Sequence, residues 1–254
     1  MVARRTAGAP ILLLAAALLA VVAGDALWRA WPRGRSPGPP AARPAREAAG
    51  GRRPATDSTP LRSAAQRAAL RGRIAAEGAE SYLAETVAGS DSTVRRWAVR
   101  GARSLTVAIV RSDAPGFQGE FVDAVGWAMA EWNQVALPVR FEALADSAHA
   151  DVVVSWADTI DAERAGRADM TWNGAGEIIR VRILLATHLA AGRPITTRQM
   201  TTMALHELGH AVGLGHSPDP RDALYPTSGA SALTPRDRRT ATVLYQLPTG
   251  SVRN

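Results

Sequence analysis

The sequence predicts an α+β fold, a twisted mixed β-sheet packed on helices, with a single helix carrying the chemistry. Short apolar runs typical of strands recur between residues 105 and 185, two stretches further along and between them place apolar residues at helical spacing, and three of the five histidines fall within the eleven residues His206 to His216. The resulting order of strand, helix, three strands, helix, turn and helix suits a sheet covered by helices rather than a bundle or a barrel.

Taken from the N-terminus, Thr6 to Gly24 is uncharged, apolar at its centre (Ile11 to Val22) and preceded by Arg4-Arg5. Such a segment directs export, with the arginines left on the cytoplasmic side and the chain beyond it outside the cytoplasm, periplasmic or extracellular. Its length nearly spans a core of about 30 Å, as an uncleaved anchor does. Val22-Ala23-Gly24 also offers the small residues a signal peptidase accepts. Residues 1–30 therefore read as a signal anchor or a signal peptide, and the protein as membrane-tethered or secreted. Residues 31–60, rich in Pro, Gly, Ala and Arg, bury too little to fold and read as a disordered linker. Residues 61–92 have a helical composition with an uneven apolar face, one helix or two, and read as a helical lead-in or a prosegment.

In the body of the chain, Leu105 to Val110 alternates as a strand until Pro115-Gly116. Phe121, Val125, Ala128, Met129 and Trp132 give an amphipathic helix from about Gln118 to Val135. Val139 to Phe141, Val152 to Val154 and Ile178 to Leu185 supply strands, and Thr196 or Thr197 caps a helix running to about Val212. Thr234-Pro235-Arg236-Asp237 opens a final helix with a cap, a first-turn proline and an acid at the third position.

Most of the net charge of +7 lies in the N-terminal region: residues 1–60 hold nine Arg against three acids, and residues 61–254 hold 21 against 20. A nearly neutral body excludes a nucleic-acid groove.

His206 and His210 are four apart, so both imidazoles point from one helix face at a single ion. A continuing helix would carry His216 about 15 Å along the axis from His206, so the helix must stop first. Gly213 is placed to stop it and let His216 return as third ligand. Three neutral imidazoles leave one tetrahedral position open, as in a catalytic zinc site. Glu207 points about 100° around the helix from His206, bordering the metal as a general base for water attack on an amide carbonyl.

The run His206-Glu207-Leu208-Gly209-His210-Ala211-Val212-Gly213-Leu214-Gly215-His216 resembles the extended zinc motif of the metzincin endopeptidases, and Ser217 after the third histidine is similar to the matrixin branch. Asp222-Ala223-Leu224-Tyr225-Pro226 resembles the matrixin methionine turn, with Leu224 in the methionine place and Tyr225 and Pro226 walling the pocket beside the metal. The resemblance implies a zinc metalloendopeptidase domain over residues 93–250, with one catalytic zinc and a peptide or protein substrate. It also implies that residues 176–185 form the edge strand along which substrate lies, and raises Ca2+ as a stabilising ion, for which Asp158, Asp161, Asp169 and Asp219 form no loop pattern. The chain has no cysteine, which excludes a cysteine switch; His149 and His188 stand alone, and a monomer is expected. A zinc-holding module that binds peptides without cutting them is the alternative, favoured by Leu224 and opposed by Glu207.

Overall fold

The computed structural model describes residues 63–99, 101–161, 164–190 and 192–253. The apolar segment at 6–24 and the linker at 31–60 lie outside the described residues, among which no helix is long and apolar enough to cross a membrane.

Two helices lead in. α1 (Ala64–Ala76) begins at Ser63, whose hydroxyl accepts from the Gln66 amide while the Gln66 side chain accepts from the Ser63 amide. It buries only Leu70 and Ile74, the narrow face that uneven apolar spacing allows. A 3-10 turn at Gly78–Glu80 then separates it from α2 (Leu83–Gly89), which buries Leu83, Thr86 and Val87.

The central sheet is built from β3 (Arg103–Ile109), β4 (Val139–Ala143), β5 (Val152–Ala157), β6 (Gly166–Trp172) and β7 (Glu177–Ala186), in the spatial order β4-β3-β5-β7-β6. The pairs β3·β4, β3·β5 and β5·β7 are parallel; β6 alone is antiparallel. Short β1 (Thr93–Val94) pairs with β8 (Gly250–Ser251), tying the two ends of the domain, and β2 (Arg96–Trp97) runs parallel to the start of β7. Between β3 and β4 lies α3 (Glu120–Asn133), whose apolar face buries Phe121, Val125, Ala128, Met129 and Trp132. It packs on α4 (Thr197–Ala211), and the Trp132 indole N–H donates to the Leu205 carbonyl at 2.9 Å. The chain closes with α5 (Pro235–Gln246), started by the Thr234–Asp237 capping box. The architecture is thus α+β, a mostly parallel sheet against helices.

One expectation is overturned. β7 is not the edge strand: β5 flanks one side and β6 covers the other. The run Ile183-Leu184-Leu185-Ala186 is apolar without alternation, as strands buried inside a sheet are. The strand that reasoning from sequence missed, β6, alternates Arg167 and Asp169 with Ala168 and Met170, the charged pattern of an edge. Asn173-Gly174-Ala175-Gly176 turns β6 into β7, the Asn173 side chain accepting from the Ala175 and Glu177 amides and Gly176 taking φ +80°.

Candidate metal centre

α4 is fixed before any metal is considered. Thr196 closes a capping box with Gln199, and Met200, Ala204, Leu205 and Leu208 are buried. At its other end the Gly213 amide donates to His210 O (2.9 Å) and the Leu214 amide to Gly209 O (3.1 Å), the paired bonds of a Schellman stop, with Gly213 at φ +108°. The chain then turns back, and His216 joins the two helical histidines. The ring nitrogens available from His206, His210 and His216 lie within 4.8 Å of one another.

The orientation of two rings is set from outside the cluster. His206 Nδ1 lies 2.8 Å from Ala223 O, and His210 Nδ1 lies 2.9 Å from Leu214 O. A carbonyl only accepts, so each Nδ1 carries the proton and each Nε2 is left with a lone pair. These two Nε2 atoms face each other at 3.0 Å. Two lone pairs at that distance repel unless a cation lies between them, and zinc bonds of roughly 2.0–2.1 Å at the tetrahedral angle would set them roughly 3.3 Å apart. Burial holds all three imidazoles below their ordinary pKa, His206 at about 3, so each is neutral, the form that ligates. The donor set fits zinc.

Glu207 is 6% exposed, and burial pushes its carboxyl up to about 8, with Arg164 pulling down, Asp169 pushing up and Arg167 again pulling down. Its carboxylate is faced by the backbone of Gly166 at the start of β6, where an added Cβ would overlap Glu207 Oε1. Helix α4 therefore packs closely on the start of β6 through Glu207. Gly166→Ala is expected to fold, because a flexible carboxylate can move aside, but to lower kcat by up to about a hundredfold with zinc retained, the order of effect of a 1 Å misplacement. Steady-state kinetics beside metal analysis would check it, and an unchanged kcat would deny the glycine this role.

Beneath the histidines, Leu224 is fully buried, and a Cβ on Gly209 would meet its Cδ2 at 2.6 Å. Its carbonyl accepts from the Ser217 amide at 2.9 Å, linking the floor to the residue after His216. Tyr225 follows half-buried and Pro226 exposed. Gly213 is closely enclosed: a Cβ there would lie 2.5 Å from Arg95 O. Gly213→Ala should cost about 1–3 kcal/mol through backbone strain alone, read as a lower urea midpoint of the metal-free protein. A midpoint equal to the parent's would show that the turn relaxes without cost.

His149 pairs with Asp146 and His188 with Asp158, apart from the cluster. Among the described residues, His206, His210 and His216 form the one group of three or more His, Cys, Asp or Glu arranged to hold a metal. Sequence reasoning missed Gly166, whose role depends on a strand it did not foresee, and Ala223, whose carbonyl leaves no trace in a side-chain pattern. The matrixin family model of the M10 peptidases matches residues 96–246. No curated protein matches the chain.

Proposed function

We propose, since the chain belongs to the matrixin family of zinc metalloendopeptidases, that Glu207 is its general base and that His206, His210 and His216 hold the zinc. The observation that carries this reading is the convergence of three neutral imidazoles beside a buried carboxylate at the mouth of a sheet edge. When bound, zinc polarises the scissile carbonyl and acidifies water. Glu207 accepts a proton from the attacking water as its oxygen bonds to the carbonyl carbon, then returns that proton to the amide nitrogen as the C–N bond breaks. Gly213 gives His216 its position, and Leu224 supplies the apolar floor, a place where Leu and Met are close in volume. Substrate adds antiparallel or parallel to the outer edge of β6, where backbone hydrogen bonds are blind to sequence. Tyr225 and Pro226, which follow the apolar floor, wall the pocket beside the metal in this reading.

The protein is exported and acts as a monomer outside the cytoplasm, held at the membrane or released by cleavage after the N-terminal apolar segment. The charge pattern at Arg4-Arg5 and the apolar run that follows support this. External protease should therefore reach the catalytic domain in intact cells; complete protection would oppose export. The activity is tested by hydrolysis of an unfolded protein by the full chain with zinc: a chelator should abolish cleavage and added zinc restore it. Cleavage indifferent to the chelator would remove zinc from the reaction.

A further inference from the structure

The matched family region begins at residue 96, yet the segment before it touches the loop that carries His216 and, through α5, the turn at Ala223 behind His206. Thr86, 2% exposed, accepts the Gly215 amide on its Oγ1 at 3.1 Å, and its Cα stands 2.9 Å from where a Cβ on Gly215 would be. This contact bears on the residue next to His216. Tyr82, fully buried, donates its hydroxyl to Asp237 Oδ1 at 2.7 Å, and its amide donates to Thr240 Oγ1. Asp237, also fully buried, accepts the Ala223 amide (3.0 Å) and the Thr234 amide (2.8 Å) on Oδ2. Ala223 in turn presents the carbonyl that accepts from His206 Nδ1. Two chains of contact thus run from α2 and the residue before it to two of the three histidines.

We propose that residues 81–87 are a permanent brace of the metal centre, with Thr86 positioning His216 through Gly215 and Tyr82 positioning His206 through Asp237 and Ala223. A segment removed on activation would have to leave without exposing what it covers. Here its departure would uncover Tyr82's partner Asp237, a buried carboxylate, and orphan the Gly215 amide. The contacts are made on the side of α5 and the His216 loop, whereas Glu207 faces Gly166 on β6. The brace is therefore retained in the working enzyme rather than lifted away. The inference rests on the zinc-site reading given above.

The test uses the full chain and reads zinc affinity, by competition with a chromophoric chelator, beside the melting temperature of the metal-free protein. Thr86→Val keeps the shape and removes the hydroxyl, Thr86→Ser keeps the hydroxyl, and Tyr82→Phe removes the donor to Asp237. Ile74→Ala loosens the packing of α1 without touching either loop. Thr86→Val and Tyr82→Phe should each weaken zinc about tenfold, the lower end of what groups behind the ligands contribute. Thr86→Ser should bind as the parent does, and Ile74→Ala should lower the melting temperature while leaving zinc affinity within about twofold. Unchanged zinc affinity in both Thr86→Val and Tyr82→Phe would overturn the brace alone. A parent chain that binds no zinc would overturn the metal-site reading and the brace with it.

Discussion

Glu207→Ala should lower kcat/KM on a peptide substrate by about a thousandfold while leaving one zinc per chain, within the range of about 10²–10⁴ typical of a positioned acid or base. A thousandfold corresponds to about 4 kcal/mol of transition-state stabilisation. The expectation rests on separation of roles along one helix: His206 and His210 converge with His216, whereas Glu207 is turned toward Gly166 on β6. Removing a carboxylate that is not a ligand leaves the donors intact. It also removes a carboxyl whose burial disfavours its charged form, so the metal-free variant should melt close to the parent. Glu207→Gln, which keeps the volume but cannot accept the proton, should be about as impaired as alanine. Kinetics paired with metal analysis decide the matter. A variant retaining a tenth or more of the activity would leave the proton without its assigned carrier, and joint loss of zinc and activity would make Glu207 a structural part of the metal centre.

How much of this was legible in the sequence depended on whether the cause was local. Helix α4 was, because its cap, its buried face and its glycine stop all act within a few residues, and so was the approach of His206 to His210 along one face. The return of His216 followed from Gly213, since a helix that continued could not bring the third ring back. The capping box of α5 was equally local. The sheet order was not. Pairing is decided between distant segments, and the alternation in β6 is short and faint: Ala168, Met170 and Trp172 point inward between Arg167, Asp169 and Thr171, with no Val or Ile among them. Missing β6 misassigned the edge to β7 and hid Gly166. The contacts of Tyr82 and Thr86 were out of reach for the same reason, as each meets its partner more than 120 residues away. Hydroxyl groups at those positions look like ordinary polar residues until the fold brings Asp237 and Gly215 to them.

His210→Ala should separate the metal from the fold. Structural zinc sites bind with roughly 10–16 kcal/mol shared among four ligands, so one imidazole contributes roughly 3 kcal/mol, or two to three powers of ten in affinity. His210 is the most instructive of the three to remove. It is 3% exposed, its Nδ1 bonds the Leu214 carbonyl within the helix-ending turn, and its Nε2 faces that of His206. Its loss deletes one ligand and one hydrogen bond that steadies the His216 loop, so the fall in affinity should exceed that of a variant in either group behind the ligands. Against this, the metal-free protein loses the repulsion between two facing lone pairs, which offsets part of the cost of the lost hydrogen bond and the small cavity. The metal-free variant should therefore melt close to the parent, whereas zinc, which raises the parent's melting temperature by binding only the folded state, should raise the variant's far less at equal concentration. Thermal melts at graded zinc concentrations read both quantities in one experiment. Equal zinc-induced shifts in parent and variant would place the ion elsewhere than among His206, His210 and His216, and would separate the metal from Glu207 as well.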